Sequence, residues 1–153
     1  MIGESDESRD QRLLRDAIAL SRIARPSTSA YSVGAIIVAP DGVMIADGYS
    51  RERGAQSHAE QVAIEKALEA GVDLRGSTLY TSLEPCSVRG SGLLACTVRI
   101  LDAGILRVVF ALREPPLFVD GHGAEVLAAA GVEVIELAGE ARVVAEINAH
   151  LIG

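Results

Sequence analysis

The sequence predicts an α/β domain of three layers, α/β/α, with helices covering both faces of a five-stranded mixed sheet. Three observations carry that expectation. Short β-branched runs alternate with amphipathic stretches of helical period along most of the chain. A Pro40-Asp41-Gly42 turn joins the first two runs so tightly that they form an antiparallel hairpin. After that hairpin a helical stretch separates each run from the next, which makes the third, fourth and fifth strands parallel through right-handed crossovers.

The elements follow in order. Ser8-Arg9-Asp10-Gln11 fits a capping box, and Leu13, Leu14, Ala17, Ile18 and Ser21 recur at helical spacing until Arg25-Pro26, predicting a helix over residues 9 to 24. Residues 1 to 8 are expected to be a flexible N-terminus and 9 to 153 one domain. Val33 to Ala39 is too short and too β-branched for a buried helix and reads as a central strand, with Val43 to Tyr49 as its hairpin partner. A polar loop over 50 to 56 leads to a helix from Ser57 that Gly71 stops. Residues 77 to 82 form the third strand. Pro85-Cys86 then opens a loop with Gly90 and Gly92, and Cys96 falls near the start of a helix to Ala103. Val108 to Ala111, a helix over Ala124 to Ala130, a strand over Val132 to Leu137 and a helix over Glu140 to Leu151 complete the pattern.

Composition narrows the function classes. The 153 residues are 49% apolar and carry a formal net charge of -7. A domain of this length buries roughly 70% of its unfolded surface and holds a core without disulfides. No apolar run reaches the about 18 uncharged residues that a membrane helix needs. The opening Met1-Ile2-Gly3-Glu4-Ser5-Asp6-Glu7 lacks the basic-then-apolar order of an export signal, so a cytoplasmic setting is expected. The two cysteines are then reduced thiols or metal ligands. An acidic chain opposes nucleic-acid binding, which draws on basic side chains releasing counterions; a small-molecule partner is expected.

The chemistry concentrates in three segments. His58 lies in the first turn of one predicted helix, and Cys86 and Cys96 lie at the entry to the next. Helix side chains tilt toward the N-terminus, so the three converge above their helix ends, where partial positive charge favours thiolates. One histidine and two thiolates suit zinc and leave a fourth position open for water, whose pKa falls toward about 7. Glu60, two residues beyond His58, is a poor ligand beside this soft set but is placed to move that water's proton. A plainer alternative stays open, in which Ser57-His58-Ala59-Glu60 is a capping box and Glu60 bonds back to the backbone of Ser57. A histidine-x-glutamate followed by Pro-Cys and a second cysteine is the pattern of zinc-dependent deaminases, with a longer Cys-Cys gap here.

On these segments the chain resembles the deaminase domain of the bifunctional riboflavin-pathway enzyme, within the cytidine deaminase-like superfamily. Val33-Gly34-Ala35, His58-Ala59-Glu60, Thr78-Leu79-Tyr80, Leu83-Glu84-Pro85-Cys86-Ser87, Gly90, Cys96, Ala103-Gly104-Ile105, Val119, Gly121, Gly123 and Ala130-Gly131-Val132 carry the resemblance in one order. It implies zinc on His58, Cys86 and Cys96, and Glu60 as proton shuttle. It further implies that the N–H of Ala59 holds a ring carbonyl and that backbone near Ser82 faces the departing amino group. A homodimer is implied as well, to which the apolar stripe of the last helix, Val143, Val144, Ile147 and Leu151, could contribute.

The departures fall on the substrate side. Ala30-Tyr31 stands where the family has Asn-Pro, Ser87-Val88-Arg89 where histidines follow the first cysteine, Ser50-Arg51 where a histidine precedes the zinc helix, and Glu114-Pro115-Pro116-Leu117 where the family has Asp-Pro-Asn-Pro. The cysteines stand at x9 against the family's x8. Metal-site residues persist while substrate contacts change, so the expectation is the same reaction on an altered aminopyrimidine-like substrate. Tyr31 is a candidate to stack on a flat ring or close the pocket, and Arg89 is a candidate substrate contact. Arg51, Arg53 and Arg89 could take a phosphate or carboxylate, against the plainer reading of exposed loop arginines. His122 reads as a loop residue and His150 as solvated. Glu140-Ala141 and Asn148 resemble the helix that leads to a reductase domain, and with the sequence ending at Gly153 no reduction step is expected of it. Two rivals remain: a non-catalytic binding or assembly module with structural zinc, which predicts a plugged pocket or a filled fourth position, and a nucleic-acid-editing deaminase, which predicts a basic face.

Overall fold

Helix α1 (Asp6–Ser21) begins where Ser5 Oγ accepts the N–H of Ser8 at 3.1 Å, with Asp6 and Glu7 in the positively polarised first turn. The cap is therefore Ser5 and not Ser8, residues 6 to 8 are helical, and the regular helix stops three residues before the expected end. The computed structural model describes residues 3–89, 93–118 and 121–152. Gly90, Gly92 and Val119, which the sequence places in loops or in the family pattern, lie outside them.

The strands are β1 (Gly34–Val38), β2 (Met44–Tyr49), β3 (Thr78–Leu83), β4 (Arg107–Leu112) and β5 (Glu133–Glu136), in the spatial order β2-β1-β3-β4-β5. β1 is antiparallel to both neighbours, and β3, β4 and β5 run parallel, as the alternation of elements requires. All five β1 residues are buried because the strand is covered on both faces and paired on both edges. Between strands lie α2 (Ala59–Glu69), α3 (Cys96–Ala103) and α4 (Gly123–Ala129). Helices α2, α3 and α4 pack in a row on one face, while α1 and the C-terminal α5 (Ala141–Ile147) share the other. The three-layer expectation holds.

The last helix differs from its expectation. A 3₁₀ turn (Ala138–Glu140) precedes α5, and the chain then breaks at Asn148 before α6 (Ala149–Ile152). The fully buried Asn148 side chain accepts the Ser32 N–H at 2.7 Å and donates to the carbonyls of Ser32 and Val144, which competes with a continuing helix ladder. The stripe of Val143, Val144, Ile147 and Leu151 packs on the core, with Val144 buried and the other three partly buried.

One buried polar cluster ties the adjacent strands β3 and β4 to α1. Asp10 accepts from Tyr80 Oη at 2.7 Å and from both terminal nitrogens of Arg107, so its charge is paired and hydrogen-bonded where it is buried.

Candidate active site

Two glycines set the positions of the zinc-type donors. A Cβ on Gly48 of β2 would stand 2.5 Å from the Ala59 carbonyl, so the first turn of α2 rests directly on the strand. A Cβ on Gly123 would stand 1.8 Å from the Pro85 carbonyl, so α4 starts against the loop that carries Cys86. His58 is the N-cap of α2, and Cys96 is the first residue of α3.

The three side chains meet. His58 Nδ1 lies 3.6 Å from Cys86 Sγ and 3.4 Å from Cys96 Sγ, and the three donor atoms fall within 4.8 Å of one another. Zinc–sulfur and zinc–nitrogen lengths of about 2.3 and 2.1 Å at a tetrahedral angle separate N from S by about 3.6 Å. The donor set and its spacing fit zinc. Both thiols are unbridged and buried, and the Cys96 N–H donates to Cys86 Sγ at 3.2 Å. The hydrogen bond from Cys96 pulls the Cys86 thiol down to about 4, and the same contact together with burial pushes Cys96 up. Two adjacent buried thiols resist double ionisation, and a divalent cation is what relieves that conflict.

Glu60, 4% exposed, sits in the first turn of the same helix. Burial pushes its carboxyl up to about 7, with the Cys86 charge adding and His58 opposing. The capping alternative fails. The N-cap is His58, whose N–H reaches Gln61 Oε1 at 3.4 Å, and Ser57 Oγ instead accepts from Arg53 N and donates to the Gly54 carbonyl. Glu60 is left available to the cavity.

That cavity has a volume of about 380 Å³ and is walled by Tyr31, Arg51, His58, Ala59, Glu60, Leu83, Glu84, Cys86, Arg89, Glu114 and Phe118 among others. Ser82 lies fully buried just behind the Leu83 wall, its Oγ accepting the Gly34 N–H at 3.1 Å. Tyr31 is buried, donates from Oη to the Pro115 carbonyl at 3.0 Å and packs its ring 5.3 Å from that of Phe118. Among the described residues the donor group has three members, with an open cavity beside it.

The loop arginines are not the solvated group that their sequence context suggests. Arg89 is 7% exposed and donates to Gln61 Oε1 and to the carbonyls of Leu94 and Gln56. Arg51, at φ 64, donates to the carbonyls of Arg25 and Tyr31 and to Ser32 Oγ. Arg53 is the exposed one and pairs with Glu69. His122 caps α4 and donates its N–H to Ser87 Oγ at 2.8 Å, while the exposed His150 contacts the Ser27 carbonyl at 3.0 Å.

Two acids escaped the sequence reading. Glu84 is 3% exposed, and its carboxylate accepts the N–H groups of Glu114 and Ala124 at 2.9 and 2.8 Å, locking the loop after β4 and the start of α4 to the cysteine loop. Its place between a strand end and Pro85-Cys86 was the available signal. Glu114 lines the cavity, and its Oε2 is buried with no hydrogen-bond partner.

Comparison with known proteins gives this arrangement its relatives. A diaminohydroxyphosphoribosylamino-pyrimidine deaminase from Schizosaccharomyces pombe is 43% identical over 113 residues, 72% of this chain and 28% of the relative. A riboflavin biosynthesis protein RibD from Haemophilus influenzae is 35% identical over 102 residues, 67% of this chain and 26% of the relative. The chain thus spans little more than a quarter of these two proteins. Among solved structures, the Aspergillus oryzae Rib2 deaminase in complex with DARIPP superposes with a TM-score of 0.81 at 27% identity, covering 92% of this chain and 90% of that one. The deaminase/reductase of Thermotoga maritima gives a TM-score of 0.80 at 36% identity, covering 91% and 39%. Residues 7–112 match the family described as the cytidine and deoxycytidylate deaminase zinc-binding region, and the chain belongs to that family.

Proposed function

We propose that this chain is a zinc-dependent hydrolytic deaminase that converts an aminopyrimidine-like ring to its oxo form and releases ammonia. The observation that carries the reading is a buried carboxyl, Glu60, beside a three-donor metal set at an open cavity. His58, Cys86 and Cys96 would hold zinc, which supplies Lewis acidity and makes water a nucleophile at neutral pH. Glu60 would take one proton from that water and deliver it to the ring nitrogen, then take the remaining hydroxyl proton and deliver it to the leaving amine as the carbon–nitrogen bond breaks. Its carboxyl suits both uptake and delivery because burial raises it to about 7, where either protonation state is accessible. The N–H of Ala59 would hold the ring carbonyl, with backbone at Ser82 facing the departing ammonia. Tyr31 would close the wall over the ring, and Arg89 would support the ring's edge.

The substrate of the proposal is altered from the riboflavin-pathway intermediate, because Tyr31, Val88, Arg89 and Pro116 occupy positions where the resembled family carries its substrate contacts. A cytoplasmic setting belongs to the same reading, since unbridged thiols remain ligands where they stay reduced. So does a homodimer, for which the exposed Leu94 and Val98 beside the start of α3 supply an apolar patch. Glu60→Ala tests the central role: zinc content stays at that of the wild-type protein while ammonia release falls by about two orders of magnitude or more. Unchanged turnover would sink it.

A further inference from the structure

The charges around the cavity bear on what enters it. Among the described residues the basic side chains at its wall are Arg51, Arg89 and the zinc-type donor His58. Residues 90–92 and 119–120, outside the described residues, include no lysine, arginine or histidine. Gripping a phosphate takes a guanidinium fork or an ammonium with donors to spare. Arg51 gives four hydrogen bonds to the loop at residues 25 to 32, three of them to main-chain carbonyls. Arg89 gives three to neutral acceptors, and its Nε is buried with no partner and no accessible surface for a phosphate to meet. Both arginines are committed to holding the walls together.

The acidic side chains point the other way. Glu60, Glu84 and Glu114 all line the cavity. Burial is the main cause that pushes the Glu114 carboxyl up to about 8. A divalent metal would balance the two thiolates and leave the three carboxyls facing two engaged arginines. Among the described residues a phosphate entering the cavity meets three carboxyl groups and two guanidiniums already bonded to the walls. The unpartnered Glu114 Oε2 is meanwhile a hydrogen-bonding group in want of a donor.

We infer that the cavity takes a phosphate-free substrate, a nucleobase or nucleoside whose ring presents a second hydrogen-bond donor to Glu114. The inference rests on the deaminase reading for the class of ring and adds to it the exclusion of a phosphate ester. Matched pairs test it: cytidine with its 5′-monophosphate, and a ribosylaminopyrimidine with its 5′-phosphate, titrated by calorimetry into zinc-loaded Glu60→Gln protein, in which turnover is blocked. Each phosphate-free member is expected to bind at least about tenfold tighter than its ester. An ester that binds equally or more tightly overturns the inference, as does failure of both phosphate-free members to bind at millimolar concentration. Glu114→Gln and Glu114→Leu, checked for folding by thermal unfolding, add a second readout. The leucine variant should weaken the better phosphate-free ligand about tenfold and the glutamine variant much less; equal affinity in both removes the Glu114 contact. Ammonia release by the wild-type protein is measured separately, so binding without turnover would remove the deaminase reading and leave the phosphate-free preference standing.

Discussion

Gly48→Ala is the sharpest test of how the sheet places the metal site. The added Cβ would stand 2.5 Å from the Ala59 carbonyl, 2.9 Å from the Ala63 nitrogen and 3.0 Å from Val62 Cβ, and the first two of these neighbours are helix backbone with no rotamer to yield. Restoring ordinary contact of 3.4 Å to the carbonyl lifts the start of α2 by about 0.9 Å. His58 caps that turn, and zinc sites hold their ligand distances to about 0.2 Å, so the histidine leaves its bonding position. Overpacking of this kind costs roughly 1–3 kcal/mol. The expected result is a loss of that size in urea unfolding of the zinc-free protein, and zinc affinity reduced at least about tenfold in competition with a chromophoric chelator. Gly139→Ala, where the added Cβ meets nothing within 4 Å, serves as the control and should change neither quantity. If Gly48→Ala matches the control on both readouts, the helix is not held by that strand contact and the account of how His58 is placed is wrong.

Two further predictions concern buried polar clusters. The Asp10 carboxyl is pushed up by burial, but hydrogen bonds from Arg107 and Tyr80 and the Arg107 charge outweigh this and hold it below 3.8. Its contribution is therefore complete above about pH 4 and is lost as pH falls through the lower folded value. Asp10→Asn should flatten the acid limb of a stability-against-pH curve below about pH 4, and a variant with the wild-type slope would contradict the pairing. Asn148→Ala leaves the buried Ser32 N–H without its partner and should cost about 1–3 kcal/mol in denaturant unfolding; a change under about 0.5 kcal/mol would mean that water or backbone replaces the amide.

The legible parts of the chain are those in which local pattern and tertiary position demand the same thing. The β1–β2 hairpin follows from Pro40-Asp41-Gly42, and the parallel order of β3, β4 and β5 follows from the intervening helices. His58 and Cys96 were readable because each marks a helix start, which is visible in sequence, and Cys86 because it follows Pro85 just past the end of β3. Helix caps were less so. Ser5 and Ser8 are equally good caps by type, and the choice falls to Ser5, whose selection adds Asp6 and Glu7 to the favourable end of α1. Asn148 breaks the last helix because its amide serves Ser32, more than a hundred residues away, and no local pattern announces that demand. Arg89 looked exposed for the same reason. Its partners at Gln56 and Gln61 lie in the segment before and within α2, and a loop arginine becomes a buried clamp only after the fold brings the segments together.

The zinc-type donors and the substrate walls are thus held by different means. His58 and Cys96 stand on helix starts, and Gly48 seats the His58 turn directly on the sheet, so the metal set depends on backbone packing. The walls depend on single side chains reaching across loops. Arg51 and Asn148 hold the segment that carries Tyr31, Glu84 holds the segment that carries Glu114, and Arg89 ties its own loop to the residues before α2. A substitution in the first group disturbs several elements at once, whereas one in the second reshapes a single wall. That division accounts for a sequence in which the metal donors and Glu60 match the resembled family while Tyr31, Val88, Arg89 and Glu114 do not. Under the proposed function, reaction chemistry would reside in the part held by backbone packing, and substrate choice in the part that one side chain can alter.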